Sequence, residues 1–268
     1  MNEKLVSVII PTYNSESTLD ACLSSIISQT YKNIEIIITD RSGTFSTKEM
    51  AEKYGAKVII DNSIRSKARN IAVERSKGDF VFSIDSDMEL TEKVIEDCVK
   101  RSDEFDSIIV PEVSFGTGFW AKCKSLEKML YIGDETIEAA RFFKIKVFET
   151  VKGYDPILEF AEDWDIHQRI RNAGFRIGRV NSLIRHNEGD LSLRKTMRKK
   201  YQYGKTLEKY RIKHPENFSK QSKLIRPAFL RNYEKFVKDP IISFGMLFMK
   251  SCEYFATMAG FIVFIVKR

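Results

Sequence analysis

Short apolar runs alternate with amphipathic segments along the first hundred residues of this chain. The runs over 5–10, 34–39 and 57–60 have the length and the continuous apolar character of strands buried on both faces. Apolar positions at helical spacing predict helices over 19–27, 48–54 and 65–76. This alternation predicts an α/β fold, a mostly parallel sheet flanked by helices with its ligand crevice at the carboxyl ends of the strands.

The fourth apolar run, 80–84, ends abruptly in two carboxylates, Asp85 and Asp87. Residues two apart on an extended strand point to the same side, so both carboxylates can face the crevice. Two hard oxygen donors so placed suit Mg²⁺ or Mn²⁺, and such a cation suits a diphosphate. Asp40 ends the second run at the same predicted edge, where a nucleotide would bind. The alternative for these residues is a polar turn that ends a strand.

Positive charge is concentrated in one part of the chain. The formal net charge is +7, yet residues 185–238 hold 16 Lys/Arg against 5 Asp/Glu, a local balance of +11. Basic and aromatic side chains interleave at helical spacing over 194–210. Because no nucleic-acid recognition module accompanies them, we expect no nucleic-acid partner and favour a membrane surface, contacted through residues 194–268.

The last 28 residues are mostly apolar. The uncharged runs 241–249 and 255–266 are separated by Lys250 and Glu253, and neither reaches the roughly 20 residues of a spanning helix. We expect two helices that lie in the membrane interface, so that the protein is peripheral or monotopic. A hydrophobic dimer interface is the soluble alternative.

The four cysteines are scattered without the spacing of a zinc site or a disulfide framework. They are typical of small apolar residues in a reducing compartment. The chain also enters a strand-like run directly after its first residues. We therefore expect a protein on the cytoplasmic side of the cell membrane.

Four segments of the first half resemble a known family in order and spacing. They are Val6-Ser7-Val8-Ile9-Ile10-Pro11-Thr12-Tyr13-Asn14, the strand ending at Asp40, Lys67-Ala68-Arg69-Asn70, and Ile84-Asp85-Ser86-Asp87. Together they look like the nucleotide-binding half of the family 2 glycosyltransferases. The resemblance implies a GT-A fold, in which a nucleotide-diphosphate sugar lies across the sheet and a metal bridges its diphosphate.

The resemblance also implies roles for single residues. Pro11, Thr12 and Tyr13 would line the base pocket, and Asp40 would contact the base or ribose. Arg69 would approach the nucleotide, Asp85 would face the ribose with Ser86 beside it, and Asp87 would bind the metal. One departure is Arg41, which stands where the family often has a second acidic residue.

In the second half, the resemblance extends over 141–169 and includes Glu162 and Asp163. These residues open a predicted helix, where acidic side chains also stabilise the first turn through the helix dipole. The functional interpretation makes Asp163 the general base of an inverting transfer, with Glu162, Trp164 and Trp120 on the acceptor side. In the family a histidine near His186 commonly completes the metal site; the alternative is a buried structural histidine. His167 and His214 match no motif and are expected at the surface.

We therefore expect a GT-A catalytic domain over 1–190, with a nucleotide half at 1–110 and an acceptor half at 111–190. A basic and hydrophobic helical extension follows over 191–268. The expected function is metal-dependent, inverting transfer, by a hexosyltransferase, from a UDP- or GDP-sugar to a lipid-linked or polysaccharide acceptor. One alternative is a sugar nucleotidyltransferase, although residues 11–15 lack the glycines of its loop. The other is a catalytically silent, membrane-associated scaffold.

Overall fold

A computed structural model describes residues 3–223 and 226–266 of the chain, which form ten strands and twelve helices. The strands are β1 (Val6–Thr12), β2 (Ile34–Asp40), β3 (Lys57–Ile60), β4 (Phe80–Ser83), β5 (Met88–Leu90), β6 (Ser107–Ile109), β7 (Glu112–Thr117), β8 (Ala140–Lys144), β9 (Ile177–Arg179) and β10 (Ile184–Asp190). The helices are α1 (Glu16–Ile27), α2 (Phe45–Lys53), α3 (Arg65–Glu74), α4 (Val94–Arg101), α5 (Gly118–Tyr131), α6 (Ile145–Thr150), α7 (Glu162–Asn172), α8 (Leu193–Lys213), α9 (Pro215–Gln221), α10 (Pro227–Arg231), α11 (Tyr233–Val237) and α12 (Pro240–Val266).

The chain divides into two compact units that interleave along the sequence. The first comprises the chain up to Pro111 together with Ala139–Ile157 and Glu162–His186, and the second comprises Glu112–Glu138, Leu158–Ala161 and the chain from Asn187 onward. The units do not coincide with the boundary expected at residue 190, because α5 packs with the C-terminal helices. The division at residue 190 into catalytic and membrane-associating parts stays a prediction.

The first unit is built on a seven-stranded sheet in the order β3-β2-β1-β4-β8-β6-β9. The strands β3, β2, β1 and β4 are parallel, and β8 is antiparallel to both of its neighbours. Six of the seven residues of β1 are buried, as expected for a central strand covered by helices on both faces. The predicted α/β fold, with a mostly parallel sheet flanked by helices, is confirmed.

The observed helices begin and end near the predicted positions. Helices α1 and α2 each begin three residues earlier than predicted, and α2 begins at Phe45 because the Thr44 side chain accepts a hydrogen bond from the backbone N–H of Thr47. The Thr39 hydroxyl of β2 donates to the backbone carbonyl of Ala68, over 3.0 Å. This bond fixes α3 against the sheet and sets the position of the neighbouring Arg69.

In the second unit, the apolar C-terminal stretch forms the single 27-residue helix α12. The prediction of two separate helices over 241–249 and 255–266 is therefore wrong. The two charges that suggested a break are paired with α5. Lys250 Nζ donates to Glu127 over 2.7 Å, and Lys124 Nζ donates to Glu253 over 3.1 Å. By length and composition alone, α12 could cross a membrane.

Two histidines expected at the surface are buried. His214, in the second unit, is 8% exposed and packs against the Tyr210 ring, with 5.1 Å between the ring centroids. His167 on α7 is 1% exposed, and its Nδ1 accepts a hydrogen bond from the backbone N–H of Ala140 on β8. Burial, together with the Arg171 guanidinium, lowers the pKa of His167 to about 4.

The buried His167 predicts a loss of stability in mild acid. Its native pKa is about 4 and its ordinary value 6.5, so between these pH values the unfolded chain binds more protons. The free energy of unfolding should fall as pH drops through this window, by up to about 3 kcal/mol from this group. The measurement is urea unfolding at a series of pH values. His167→Gln keeps a hydrogen-bond acceptor but does not titrate, so it should reduce the pH dependence of the free energy of unfolding between pH 6.5 and 4. The same pH dependence in the variant and the native protein would show that His167 is not responsible.

Candidate functional site

The carboxyl ends of three parallel strands meet at one edge of the first unit's sheet. Thr12 at the end of β1 lies beside Asp40 at the end of β2, in register. On the other side of β1, β4 ends at Ser83, two residues before Asp85. The structure therefore brings the Pro11–Tyr13 segment, Asp40 and the Asp-x-Asp segment to one edge, as the strand pattern predicts.

The carboxylate of Asp40 is 1% exposed and binds groups of the protein. It accepts hydrogen bonds from the Thr12 hydroxyl (2.9 Å), the Ser42 hydroxyl (2.6 Å) and the backbone N–H of Gly43 (2.8 Å). These contacts are those of a residue that ends a strand and fixes the following turn. Its contact with a base or ribose stays a prediction.

Beside this turn, the Tyr13 side chain is exposed. Its ring is 61% exposed, and the Arg41 guanidinium lies over it at 5.3 Å from the centroid. An exposed aromatic ring with a planar cation above it is a surface suited to stacking a heterocyclic base. Pro11 is half-buried and Thr12 is buried, so Tyr13 is the most open residue of the predicted base pocket.

Three guanidinium groups and three carboxylates form one ion-pair cluster at this edge. The members are Arg65, Arg69, Arg141, Asp85, Glu162 and Asp163. Arg69 is fully buried, and its guanidinium donates to Asp85 (2.7 Å), Asp163 (2.7 Å) and Glu162 (3.0 Å). Arg69 thus joins a strand end to the first turn of α7, 93 and 94 positions along the chain.

These contacts differ from the role expected of Arg69. The sequence resemblance puts its guanidinium near the nucleotide, whereas here the side chain is enclosed and its charge is directed at carboxylates. Contact with the nucleotide stays a prediction. The Tyr154 ring lies beneath the guanidinium at 5.0 Å, and burial raises the pKa of Tyr154 to about 12, so this hydroxyl stays neutral.

Opposite electrostatic effects act on two carboxylates of the cluster. Burial alone would raise the pKa of Asp85, but the guanidinium groups of Arg69, Arg65 and Arg141 hold it well below its usual range. Burial and the neighbouring Asp163 raise the pKa of Glu162. The cluster therefore keeps an ionised Asp85 beside a carboxyl, Glu162, that holds its proton more tightly.

Glu162 and Asp163 occupy the first turn of α7, directly after Ala161, whose φ is +64°. The Glu162 side chain is 2% exposed and also forms an ion pair with Arg65, whose Nε lies 2.7 Å from Oε1, so it faces charged protein groups and not an open acceptor surface. The Asp163 side chain is 23% exposed. Its Oδ1 is held by Arg69 at 2.7 Å, while Oδ2 lies 3.7 Å from Arg141, beyond a hydrogen bond. Oδ2 is thus the more available oxygen.

The two tryptophans predicted on the acceptor side fall in different units. Trp164 is half-buried on α7 of the first unit. Trp120 belongs to the second unit, where its ring stacks on Phe248 of α12 with centroids 6.2 Å apart. Contact of either residue with an acceptor stays a prediction.

Asp87 and His186 are brought together by strand pairing. Strand β10 runs antiparallel to β5 with His186 opposite Met88, which places His186 Nε2 3.3 Å from Asp87 Oδ2. The other oxygen of Asp87, Oδ1, is buried and has no hydrogen-bond partner among the described residues. A buried carboxylate oxygen without a partner, beside an imidazole, fits a divalent cation.

This pair is smaller than a complete metal-binding cage. Within residues 3–223 and 226–266 no group of three or more His, Cys, Asp or Glu side chains is arranged to hold a metal. A cation bound here would need further oxygen ligands from a diphosphate and water, as Mg²⁺ sites in nucleotide enzymes do. Next to the pair, the Ser86 hydroxyl donates to Ser15 at 2.8 Å and ties the loop to the start of α1.

Two members of the ion-pair cluster are absent from the predicted site. Arg141 is 8% exposed on β8, between Ala140 and Phe142, and a charged residue inside an apolar strand is a signal that could have identified it. Arg65 precedes Arg69 by one helical turn, so both reach the Glu162 carboxylate. Spacing along α3 could have identified Arg65.

The cluster predicts unequal costs for two similar substitutions. Arg69→Lys keeps one charge but cannot contact three carboxylates, so it should lower the free energy of unfolding by about 3 kcal/mol or more. Arg65→Lys is the matched control, because Arg65 is 36% exposed and, among the described residues, forms its ion pair with Glu162; we expect a loss below about 1 kcal/mol. Urea unfolding at neutral pH measures both free energies of unfolding. Equal decreases in the two variants would contradict the conclusion that Arg69 stabilises the cluster more than Arg65 does.

The chain is similar in sequence to known glycosyltransferases. GlyA, a glycosyltransferase of Streptococcus pneumoniae serotype 4, is 29% identical over 166 residues, covering 59% of this chain and 22% of that protein. WfaP of Escherichia coli, a UDP-Glc:α-D-GlcNAc-diphosphoundecaprenol β-1,3-glucosyltransferase, is 43% identical over 89 residues, covering 31% of this chain and 36% of WfaP. The chain therefore spans well under half the length of these relatives.

A solved structure with a similar fold is the mannosyltransferase PcManGT of Pyrobaculum calidifontis, in complex with GDP-Man and Mn²⁺. The TM-score is 0.66 at 16% identity, and the match covers 96% of this chain and 86% of PcManGT. At this identity the likeness concerns the fold alone.

The profile of glycosyl transferase family 2 matches residues 7–161, more than half of the 268-residue chain. The matched range contains all of β1 but its first residue, together with β2, the Asp-x-Asp segment and Arg69, which are the segments that carry the resemblance in the sequence. The chain belongs to glycosyl transferase family 2.

Proposed function

We propose that this chain is a metal-dependent, inverting glycosyltransferase that moves a sugar from a nucleotide-diphosphate sugar to a lipid-linked or polysaccharide acceptor. The observation that most supports the proposal is the gathering of acidic groups, with an imidazole, at the carboxyl edge of the sheet. Asp87 and His186 offer a cation two ligands, and the ion-pair cluster offers a partly exposed carboxylate, Asp163. Metal, donor and base are the three requirements of this reaction.

Asp87 and His186 would hold Mn²⁺ or Mg²⁺. The bound cation would neutralise charge on the diphosphate leaving group. The free Oδ1 of Asp87 supports this assignment, and the imidazole ligand suits Mn²⁺ better than Mg²⁺. PcManGT, which has a similar fold, was solved with Mn²⁺ and GDP-Man.

The nucleotide would bind along the ends of β1 and β2. Tyr13 would stack on the base, and Arg41 would lie close enough to contribute hydrogen-bond donors to it. Asp85, held ionised by three guanidinium groups, can accept hydrogen bonds from ribose or sugar hydroxyls. We expect a UDP- or GDP-sugar as the donor.

Asp163 would act as the general base. Its Oδ2 would take the proton from an acceptor hydroxyl as that oxygen attacks the anomeric carbon. The bond to the diphosphate would break on the opposite face, so the configuration inverts. Arg69 holds Oδ1 and so orients the carboxylate. Arg69, Arg65 and Arg141 also keep the acidic groups of the site from repelling one another.

The acceptor is proposed from the relatives. WfaP is named for an acceptor in which a sugar is joined by a diphosphate to undecaprenol, a membrane lipid. A similar acceptor would place this chain at the cytoplasmic face of the membrane, and the charge balance of +11 over 185–238 suits an anionic leaflet.

Metal-dependent binding of a nucleotide tests the site directly. Titration calorimetry of UDP and GDP in Mn²⁺ should give binding that is lost on chelation and weakened at least about tenfold by Asp87→Ala or His186→Ala. Asp103→Ala, at an exposed carboxylate of the same unit, is the control and should bind as the native protein does. Binding of equal affinity with and without metal would contradict the proposed cation site.

Asp163→Asn distinguishes two kinds of acceptor. If the acceptor is a sugar hydroxyl, loss of the base should lower kcat by about 10²- to 10⁴-fold with little change in KM for the donor. A lipid phosphate is already an anionic nucleophile, so with that acceptor most activity should remain. Glu159→Gln, an exposed neighbour in sequence, is the control. Full activity of Asp163→Asn with a hydroxyl acceptor would exclude Asp163 as the base.

A further inference from the structure

One face of α12 is apolar and exposed along its whole length. The residues on this face, called here the apolar stripe, are Ile241, Phe244, Phe248, Phe255, Ile262 and Val266, each 50–78% exposed. Their spacings of three, four and seven residues put them on one side of a helix that is about 40 Å long. Exposed apolar surface this continuous marks an interaction site.

The charged residues of α12 lie away from this stripe and are paired inside the second unit. Lys250 and Glu253 bind Glu127 and Lys124 of α5, and Lys200 of α8 lies 3.7 Å from Glu253. The Lys250 and Glu253 side chains are 13% and 7% exposed. The helix is thus divided into a face held by the protein and a largely exposed apolar face, on which Phe248 also stacks against Trp120.

Helix α12 is also fixed to α8 by direct backbone contact. A Cβ on Gly260 would lie 2.0 Å from the backbone oxygen of Tyr201, and one on Gly204 would lie 2.1 Å from that of Thr257. The two helices therefore approach more closely than side chains allow. Any movement of α12 into another medium would have to carry α8 with it.

Helix α8 is far too polar to enter a bilayer. Its 21 residues include nine Lys/Arg and one Glu. Placing such charges in hydrocarbon is expensive, on the order of 3 kcal/mol for each one at the centre of a helix. The same charges near an anionic leaflet are favourable, at about 1 kcal/mol each.

We propose that α12 lies in the plane of an anionic membrane, with the apolar stripe seated in the interface between headgroups and acyl chains, and that it does not span the bilayer. The helix buries its apolar side in lipid while its charged side stays bound to α5. The neighbouring cations Arg231, Lys235 and Lys238 are exposed and add attraction to anionic headgroups. This docking rests on the proposed function for its purpose, since it would hold the enzyme beside a lipid-linked acceptor.

A second copy of the chain is the other occupant that could cover the stripe. A two-fold dimer places the same surface of both copies together, and the stripe adjoins residues 185–238, whose charge balance is +11 and whose helix α8 packs against α12. Like charges would then face one another across the interface. A lipid surface of opposite charge avoids this repulsion, so charge complementarity favours the membrane.

Vesicle sedimentation tests the docking. The full chain, without nucleotide, should sediment with vesicles of phosphatidylcholine and phosphatidylglycerol, and much less with phosphatidylcholine alone or in high salt. The double variant Phe244→Glu/Phe255→Glu should weaken binding more than about tenfold, since two aromatic anchors are replaced by charges. Phe45→Glu is the matched control, because Phe45 is 74% exposed, like Phe244, but lies on α2 of the first unit.

The depth of α12 in the bilayer distinguishes a helix that lies in the membrane interface from one that spans the membrane. In a Cys252→Ser background, single cysteines at Phe244→Cys, near one end of α12, and Phe255→Cys, near its middle, would carry a fluorescent probe; the other three native cysteines are buried. Nitroxide lipids labelled at shallow and deep positions should quench both probes equally and best from the shallow position. Quenching of the probe at residue 255, near the middle of α12, best from the deep position would overturn the in-plane arrangement in favour of a span.

Two further results would contradict the membrane docking of α12. Absence of vesicle binding, or binding that the double variant leaves unchanged, would overturn it. Dimerisation in sedimentation velocity that Phe244→Glu/Phe255→Glu abolishes, without vesicle binding, would assign the stripe to a second copy. Metal-dependent binding of UDP or GDP, measured without vesicles, reports separately on the proposed enzyme, so each proposal can fail alone.

Discussion

The buried guanidinium of Arg69 is the interaction on which the arrangement of the site depends. A charge removed from water is costly unless other charges surround it, and here three carboxylates do so within 3.0 Å. Those carboxylates come from the end of a sheet strand and from the first turn of α7. The positive charge of Arg69 reduces the repulsion between the three neighbouring carboxylates. These carboxylates in turn compensate the cost of burying the Arg69 guanidinium. The site and the core of the first unit are therefore stabilised together.

Much of this unit could be predicted from the sequence, because its strands are short apolar runs with both faces buried. The register of parallel strands then determines where Asp40 and Asp85 lie, since each comes at or just after a strand end. The proximity of Asp87 and His186 required the family resemblance, because they are 99 positions apart and meet only through the β5–β10 pairing.

Other features could not be predicted from local pattern. Spacing gives no indication that Arg69 faces Glu162 and Asp163, because that contact depends on how α3 and α7 approach one sheet edge. His167 matches no sequence motif, yet its Nδ1 accepts a hydrogen bond from a backbone N–H of β8 and its ring is enclosed. The continuity of α12 was missed for a similar reason. In the sequence, Lys250 and Glu253 interrupt an apolar run and indicate a break between two helices. In the structure, their ion pairs with α5 allow a single helix to continue through these positions.

The interleaving of the two units has a consequence for any attempt to prepare a minimal catalytic fragment. Cys123, Leu126 and Leu130 of α5 are covered by Phe229, Met246 and Met249 from the far end of the polypeptide. Truncation near residue 190 would remove these C-terminal side chains and expose the apolar face of α5 to water. Such a fragment should aggregate unless the exposed positions of α5 are replaced by polar residues. The C-terminal helices are therefore needed for a soluble preparation of the enzyme even when no lipid is present.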